Sequence, residues 1–314
     1  MAREVPASDK PQKAAEHILD PWLLSVALVW GLNAVANKWC LTVMGPAGIL
    51  LFRYVGCVLV VPAAAYVIHR RNGGALERPW GAMILTGLWV SAQQLTFIHA
   101  LDWTTASEAA LIISVAPIWT ALIGAAIGLE VVSAANWAGI LAAVCGVGMI
   151  VLGGTDLDAN IPTRLRGDIW MLVSSLLYGS FMVYSKGTMK RYGSIRVLSW
   201  AFLWGTLLVV PAGFNQLVGA DWAQFTPTLW GALIFSAFVS GGYGFIVWYR
   251  TIDRTTPART AVYQYLVPVV ALTGAALLLG ERLALVQIIG SAVVITGLVL
   301  ARRAAPAGPR GQRA

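Results

Sequence analysis

Ala109-Ala110-Leu111-Ile112-Ile113-Ser114-Val115-Ala116-Pro117, running on to Gly128-Leu129-Glu130, recurs later in the chain as Ala261 to Pro268 and Gly280-Glu281-Arg282-Leu283. At an offset of about 151 residues Pro117 falls on Pro268 and Glu130 on Glu281. Working outward, Thr104-Thr105 falls on Thr255-Thr256, Gly139 on Gly290 and Gly146 on Gly297. Upstream, at offsets of about 148–150, Gly31 meets Gly179 and Lys38 meets Lys186. Val60-Val61-Pro62-Ala63 meets Val209-Val210-Pro211-Ala212 there, and Trp80-Gly81-Ala82 meets Trp230-Gly231-Ala232. The chain is one hydrophobic unit written twice.

What surrounds that unit is almost entirely apolar. The 314 residues are 58% hydrophobic and 11% charged, against roughly 25% charged in a soluble domain. Apolar runs of about 20 residues recur, each long enough to cross a hydrocarbon core of about 30 Å. The fold class is therefore an all-α integral membrane protein. Ten helices are expected at 22–43, 47–68, 79–101, 104–128, 134–152, 167–189, 194–215, 228–250, 256–279 and 284–301. Five spans per unit is an odd number, so the second copy enters the membrane from the opposite side, and the halves form an inverted repeat. The expected organisation is a tail at 1–20, a first repeat at 21–152, an external linker at 153–166, a second repeat at 167–301 and a basic tail at 302–314.

The net charge of +8 invites a nucleic-acid partner, but its placement argues against one. With both termini cytoplasmic, the inner segments hold 16 lysines and arginines, and the outer loops hold only Arg164, Arg166 and Arg282. That is the positive-inside bias, which sets orientation. The first 20 residues carry Arg3, Glu4, Asp9, Lys10, Lys13, Glu16 and Asp20, so the first helix reads as an uncleaved targeting signal. Cys40, Cys57 and Cys145 have no paired spacing and read as small apolar residues. No metal or other cofactor is implied. The expected partners are the lipid bilayer and a small-molecule substrate, with the chain acting as a monomer. Its alanine, glycine and arginine richness points to the inner membrane of a bacterium with a GC-rich genome.

The string Trp30-Gly31-Leu32-Asn33-Ala34-Val35-Ala36-Asn37-Lys38 resembles the first-helix signature of the EamA family, within the drug/metabolite transporter superfamily. The duplicated Ala109–Pro117 and Gly128–Glu130 stretch resembles the same family's most recognisable segment, and the likeness covers residues 22–301. The resemblance implies ten helices in an inverted repeat and export of small metabolites, very often amino acids. In length and layout the chain is most similar to bacterial aromatic amino-acid exporters. One departure stands out: Trp200, Ala201 and Phe202 occupy the region where a second copy of Arg53 would fall.

Charged groups in hydrocarbon cost at least about 2.5–3.5 kcal/mol and face the protein interior or a watery cavity. Lys38 and Lys186 fall near opposite ends of the molecule. Each is open to two readings, a gate that recruits carboxylates or a side chain snorkelling to the headgroups. Arg53 has three: gripping a substrate carboxylate, capping carbonyls, or pairing with Glu108. His99 is a proton-relay candidate or a simple interfacial hydrogen bonder. Glu130 and Glu281 read as boundary residues. Pro117 and Pro268 fall mid-helix, where each removes a backbone bond and bends the chain. Their matched positions suggest paired bends around a central cavity.

Middle depth also collects Asn33, Asn37, Gln93, Gln94, Tyr178, Tyr184, Trp200, Tyr243, Tyr263 and Gln264. Amides, phenols and an indole suit a zwitterion with an apolar or aromatic side chain. These ten are the candidate substrate residues, although some must serve as interhelical contacts.

The function expected from these residues is an alternating-access exporter of aromatic or large neutral amino acids and related metabolites. Its deep polar residues are neutral, which favours uncoupled facilitated diffusion. Should coupling exist, His99 and Glu108 are the first candidates. The alternative is a proton-coupled exporter of drugs or other small metabolites. The absence of a glutamate between residues 21 and 43 counts against cationic drugs. An enzyme is disfavoured, since the chain has neither a histidine–glutamate pair at helical spacing nor a Gly-x-Ser-x-Gly elbow.

Overall fold

A computed structural model describes residues 20–72, 80–128, 133–153, 161–252 and 257–303. Glu130 and Thr255-Thr256 lie outside these residues. All described regular structure is helical: α1 (Pro21–Cys40), α2 (Pro46–Asn72), α3 (Trp80–Trp103), α4 (Ala106–Ile113), α5 (Ala116–Ala126), α6 (Ala134–Gly153), α7 (Ile161–Tyr192), α8 (Ser194–Val218), α9 (Pro227–Ile234), α10 (Phe245–Ile252), α11 (Pro257–Gly274) and α12 (Leu285–Arg303). Wider, π-helical turns join α9 to α10 over Phe235–Gly244 and extend α11 over Ala275–Leu279. Counting α4–α5 and α9–α10 as single spans gives ten, in two sets of five. Seven of the spans are long and apolar enough to cross a membrane by themselves. Their outer faces carry bare aliphatic side chains such as Leu207 and Leu277, 64% and 78% exposed, as lipid contact requires.

Local chemistry sets the helix ends. Asp20 caps α1, accepting from the N–H groups of Trp22 and Leu23, with Pro21 in the first turn where a proline needs no donor. Thr105 caps α4 by accepting from the Glu108 N–H. Gly128 (φ 75°) and Gly280 (φ 68°) close the two matched spans in the left-handed region, which glycine occupies without a Cβ penalty.

The two matched prolines act differently. Pro117 breaks its span outright: α4 stops at Ile113, a turn at Ser114-Val115 intervenes, and α5 restarts with the proline in its first turn. Pro268 stays inside a continuous α11. The paired positions therefore differ in kind: the first span ends one helix and begins another, whereas the second keeps its proline within one helix and widens further on. The π-helical Phe235–Gly244 segment is also beyond the sequence reading. It is rich in residues that tolerate such a winding, among them Ser236, Ser240, Gly241, Gly242 and Gly244. The sixth span begins at Ile161, six residues before its expected start.

The fifth helices of the two sets, α6 and α12, pack together along a glycine seam. A Cβ on Gly146 would lie 2.7 Å from the Gly290 carbonyl oxygen, and one on Gly297 would lie 2.6 Å from that of Gly139. Small residues let membrane helices approach this closely. Gly146→Ala is expected to cost about 1–3 kcal/mol through overpacking against backbone. Gly148→Ala meets nothing within 4 Å and should leave the melting temperature in detergent unchanged or raised. Equal melting of the two variants would contradict this seam.

Candidate functional site

A cavity of about 170 Å³ lies between the two sets of spans. From the first set, α1 contributes Trp30 and Asn33, α2 Arg53, and α3 Gln93, Gln94 and Phe97. The broken span adds Ala110, Ile113, Ser114, Ala116 and Pro117. From the second set come Tyr178 of α7, Ser240 and Phe245 around the π-helical turn, and Gln264, Val267 and Pro268 of α11. Both prolines thus stand in the wall. Pro117 and Pro268 have no N–H to return to the carbonyls of Ile113 and Gln264, four residues earlier, and those two residues also line the cavity.

The polar groups of the wall have opposite characters. Arg53 is 5% exposed, and its Nε and Nη1 have no hydrogen-bond partner. They are donors without an acceptor, on a group that stays charged. Gln93 donates through Nε2 to Ser174 Oγ at 3.0 Å, while that hydroxyl donates back to the Gln93 carbonyl. This leaves Gln93 Oε1 as a buried acceptor without a donor, and Asn33 Oδ1 is another. Rings supply the rest of the surface. Trp30 is centred 5.6 Å from Phe245 and 5.1 Å from Trp248, and its indole N–H reaches the Ser240 carbonyl at 3.3 Å. Among the described residues, the cavity lining holds no carboxylate and no imidazole.

Asn33, Gln93, Gln94, Tyr178 and Gln264 therefore share one cavity, together with Arg53, Pro117 and Pro268. The other five candidates stand elsewhere. Asn37 is fully buried and accepts from Ser236 Oγ at 2.7 Å, pinning α1 to the π-helical turn. Tyr184 stacks on Trp89 at 5.5 Å, and Trp200 sets its ring edgewise to Trp80 at 4.9 Å. The Tyr243 hydroxyl pairs with Ser25 Oγ at 2.7 Å, and that of Tyr263 accepts from the Asp20 N–H at 2.5 Å.

The candidate charges also separate. Lys38 Nζ donates to the carbonyls of Leu101, Asp102 and Thr104 at 2.8, 3.2 and 2.6 Å. It caps the C-terminal end of α3, where carbonyls lack helix partners and a cation is favoured. Lys186 is exposed, in keeping with a snorkelling side chain. His99 donates from Nδ1 to the Leu95 carbonyl at 2.8 Å and sets its ring against Trp103.

Glu108 does not pair with Arg53, which corrects one of the readings open from sequence. Its carboxylate forms a salt bridge with Nε and Nη2 of Arg164 and accepts from Gln287 Nε2 at 2.6 Å. Thr104 and Thr105 complete its shell. Glu281 reaches over from the second set to cap α4, accepting from the N–H groups of Ala106 and Ser107 at 2.8 and 3.0 Å. It serves as more than the boundary residue expected of it. The network's remaining member, Asp168, is 1% exposed and bonds Thr104 Oγ1 at 2.5 Å. Sequence reasoning passed over Asp168 and placed Arg164 in a loop. A lone acid at the head of the apolar run that starts near residue 167 is the signal that was available.

The sequence profile described as the EamA-like transporter family matches residues 17–152 and again 165–303. An Archaeoglobus fulgidus protein named only as an uncharacterized transporter is 26% identical over 87% of this chain and 93% of its own. A probable terminal-alkyne amino-acid exporter of Streptantibioticus cattleyicolor is 26% identical over 90% and 93%. A probable amino-acid metabolite efflux pump of Escherichia coli is 28% identical over 88% and 92%. A crystal structure superposes with a TM-score of 0.64 at 17% identity, covering 90% of this chain and 97% of that one, which speaks to the fold alone.

Proposed function

This chain belongs to the EamA-like transporter family, and from that premise we propose that it exports aromatic or large neutral amino acids by alternating access around the central cavity. The observation that carries this reading is the pairing of opposite polar groups in one aromatic-walled space. Arg53 offers unanswered donors, and Asn33 Oδ1 and Gln93 Oε1 offer unanswered acceptors. An α-amino acid answers both, its carboxylate on the guanidinium and its ammonium on the amide oxygens. Its side chain would lie against Trp30, Phe97, Tyr178 and Phe245. Amino acids in the names of the S. cattleyicolor and E. coli relatives support the substrate class.

The protein works in this proposal as a monomer in a bacterial inner membrane with both termini cytoplasmic, as the placement of basic residues favours. Its working units are the repeats at 21–152 and 167–301. With no carboxylate or imidazole among the described residues of the cavity lining, substrate moves down its own gradient.

Uptake of a radiolabelled amino-acid panel into liposomes holding the purified protein tests this reading. Saturable uptake of Phe, Trp or Tyr is expected, without accumulation when a pH gradient is imposed. Accumulation driven by the gradient would replace uncoupled transport with proton exchange. No uptake of any amino acid would remove the substrate assignment and turn attention to other small metabolites.

A further inference from the structure

The cluster at the α3–α4 turn lies outside the cavity and holds two buried carboxyls around one hydroxyl. Thr104 Oγ1 stands 2.9 Å from Glu108 Oε2 and 2.5 Å from Asp168 Oδ1. A threonine hydroxyl has a single proton to give, so one of these two contacts needs a proton from the carboxyl side. Glu108 is the anion of the pair. Arg164, Gln287 and Thr105 all donate to it. Asp168 has no comparable company: Oδ1 meets only Thr104, and Oδ2 is buried without a partner. An ionised oxygen desolvated and unpaired in that way is strongly disfavoured.

We infer that Asp168 is a proton-binding site, a carboxylic acid donating from Oδ1 to Thr104 while Thr104 donates to Glu108, and that loss of this proton parts α7 from the α3–α4 turn. Among the described residues, the surrounding charges leave no other counter-ion. Arg164, one turn earlier on α7, is engaged by Glu108 of α4. Lys38 of α1 is spent on the carbonyls at the end of α3, where Asp102 also lies. Glu281 caps α4, Arg166 lies over the Trp103 ring at 4.1 Å, and α12 presents only the neutral Gln287.

The contact is tight: a Cβ on Gly167 would sit 2.8 Å from the Thr104 nitrogen. Ionised Asp168 sets a second anion beside Glu108, and the two elements separate. The movement carries α4, whose Ala110 and Ile113 line the cavity, so this mouth opens. The proton leaves to water through the mouth as it opens and returns the same way as it closes, with no net proton transport. Export then varies with pH at this face yet ignores the gradient. The gating half of the inference rests on the transporter reading; the proton site does not.

Infrared spectra of the full-length protein in lipid nanodiscs test the site without any substrate. At neutral pH a carboxylic-acid C=O stretch is expected that is lost in Asp168→Asn and shifted in Thr104→Val. Asparagine keeps the size and donor capacity of the neutral acid, so that variant should fold, and the threonine variant provides an independent reading. Spectra in which neither substitution touches an acid band would overturn the site. In proteoliposomes, amino-acid uptake by Asp168→Asn should lose the pH dependence seen in the parent. Parallel pH profiles would overturn the gating while leaving the site. No uptake by either protein would overturn the transporter reading, with the infrared result standing by itself.

Discussion

Arg53→Met should abolish carrier activity while making the protein harder to melt. The guanidinium is buried with Nε and Nη1 unanswered, so the empty protein carries a desolvated charge without compensation. Replacing buried charge by a packed apolar side chain of similar volume is commonly neutral, or stabilising by about 1–4 kcal/mol. Methionine matches the unbranched stem and fills irregular space. For substrate the sign reverses. Each hydrogen bond to a charged group contributes about 1.5–3 kcal/mol, and two lost together lower apparent affinity on the order of 100-fold or more. Uptake kinetics and a melting curve on the same preparation check both halves. Unchanged uptake with a lower melting temperature would make Arg53 a structural residue.

Glu108→Gln is expected to have the largest effect on folding. The carboxylate is fully buried and binds Arg164, whose side chain is 11% exposed, along with Gln287, Thr104 and Thr105. Removing one partner of a buried pair costs about 3–5 kcal/mol, because the other charge is left behind uncompensated. That is a large share of the roughly 5–15 kcal/mol that holds a domain folded. Low yield and early melting should follow. The double variant Glu108→Gln with Arg164→Gln removes both charges and should recover part of the loss. A double variant no better than the single one would show that the hydrogen bonds, not the charges, carry the cost.

The duplication, the all-helical membrane class and the count of ten spans were legible because period, apolar run length and repeated strings are properties of order along the chain. Depth was legible too, which is how Asn33, Gln93, Gln94, Tyr178 and Gln264 were gathered. Direction around each helix axis was harder to read. Tyr178 and Tyr184, six residues apart and so on different faces of α7, diverge: the first lines the cavity and the second stacks on Trp89. The change of winding at Phe235–Gly244 alters which faces align beyond it, and no 3.6-residue pattern carries that shift. The network of Glu108, Arg164, Asp168 and Gln287 joins three helices from both repeats. Glu108 is separated from the other three by 56 to 179 residues, and no local pattern connects it to them.

The seam between α6 and α12 has one more property. In repeat coordinates Gly139 corresponds to Gly290 and Gly146 to Gly297. The close approaches are Gly146 to Gly290 and Gly139 to Gly297. Each position of one copy meets the other position of its counterpart, which is the rule of an isologous dimer contact. Here both faces belong to one polypeptide. The association is therefore unimolecular, indifferent to dilution in the bilayer, and fixed at one-to-one without any second chain to recruit.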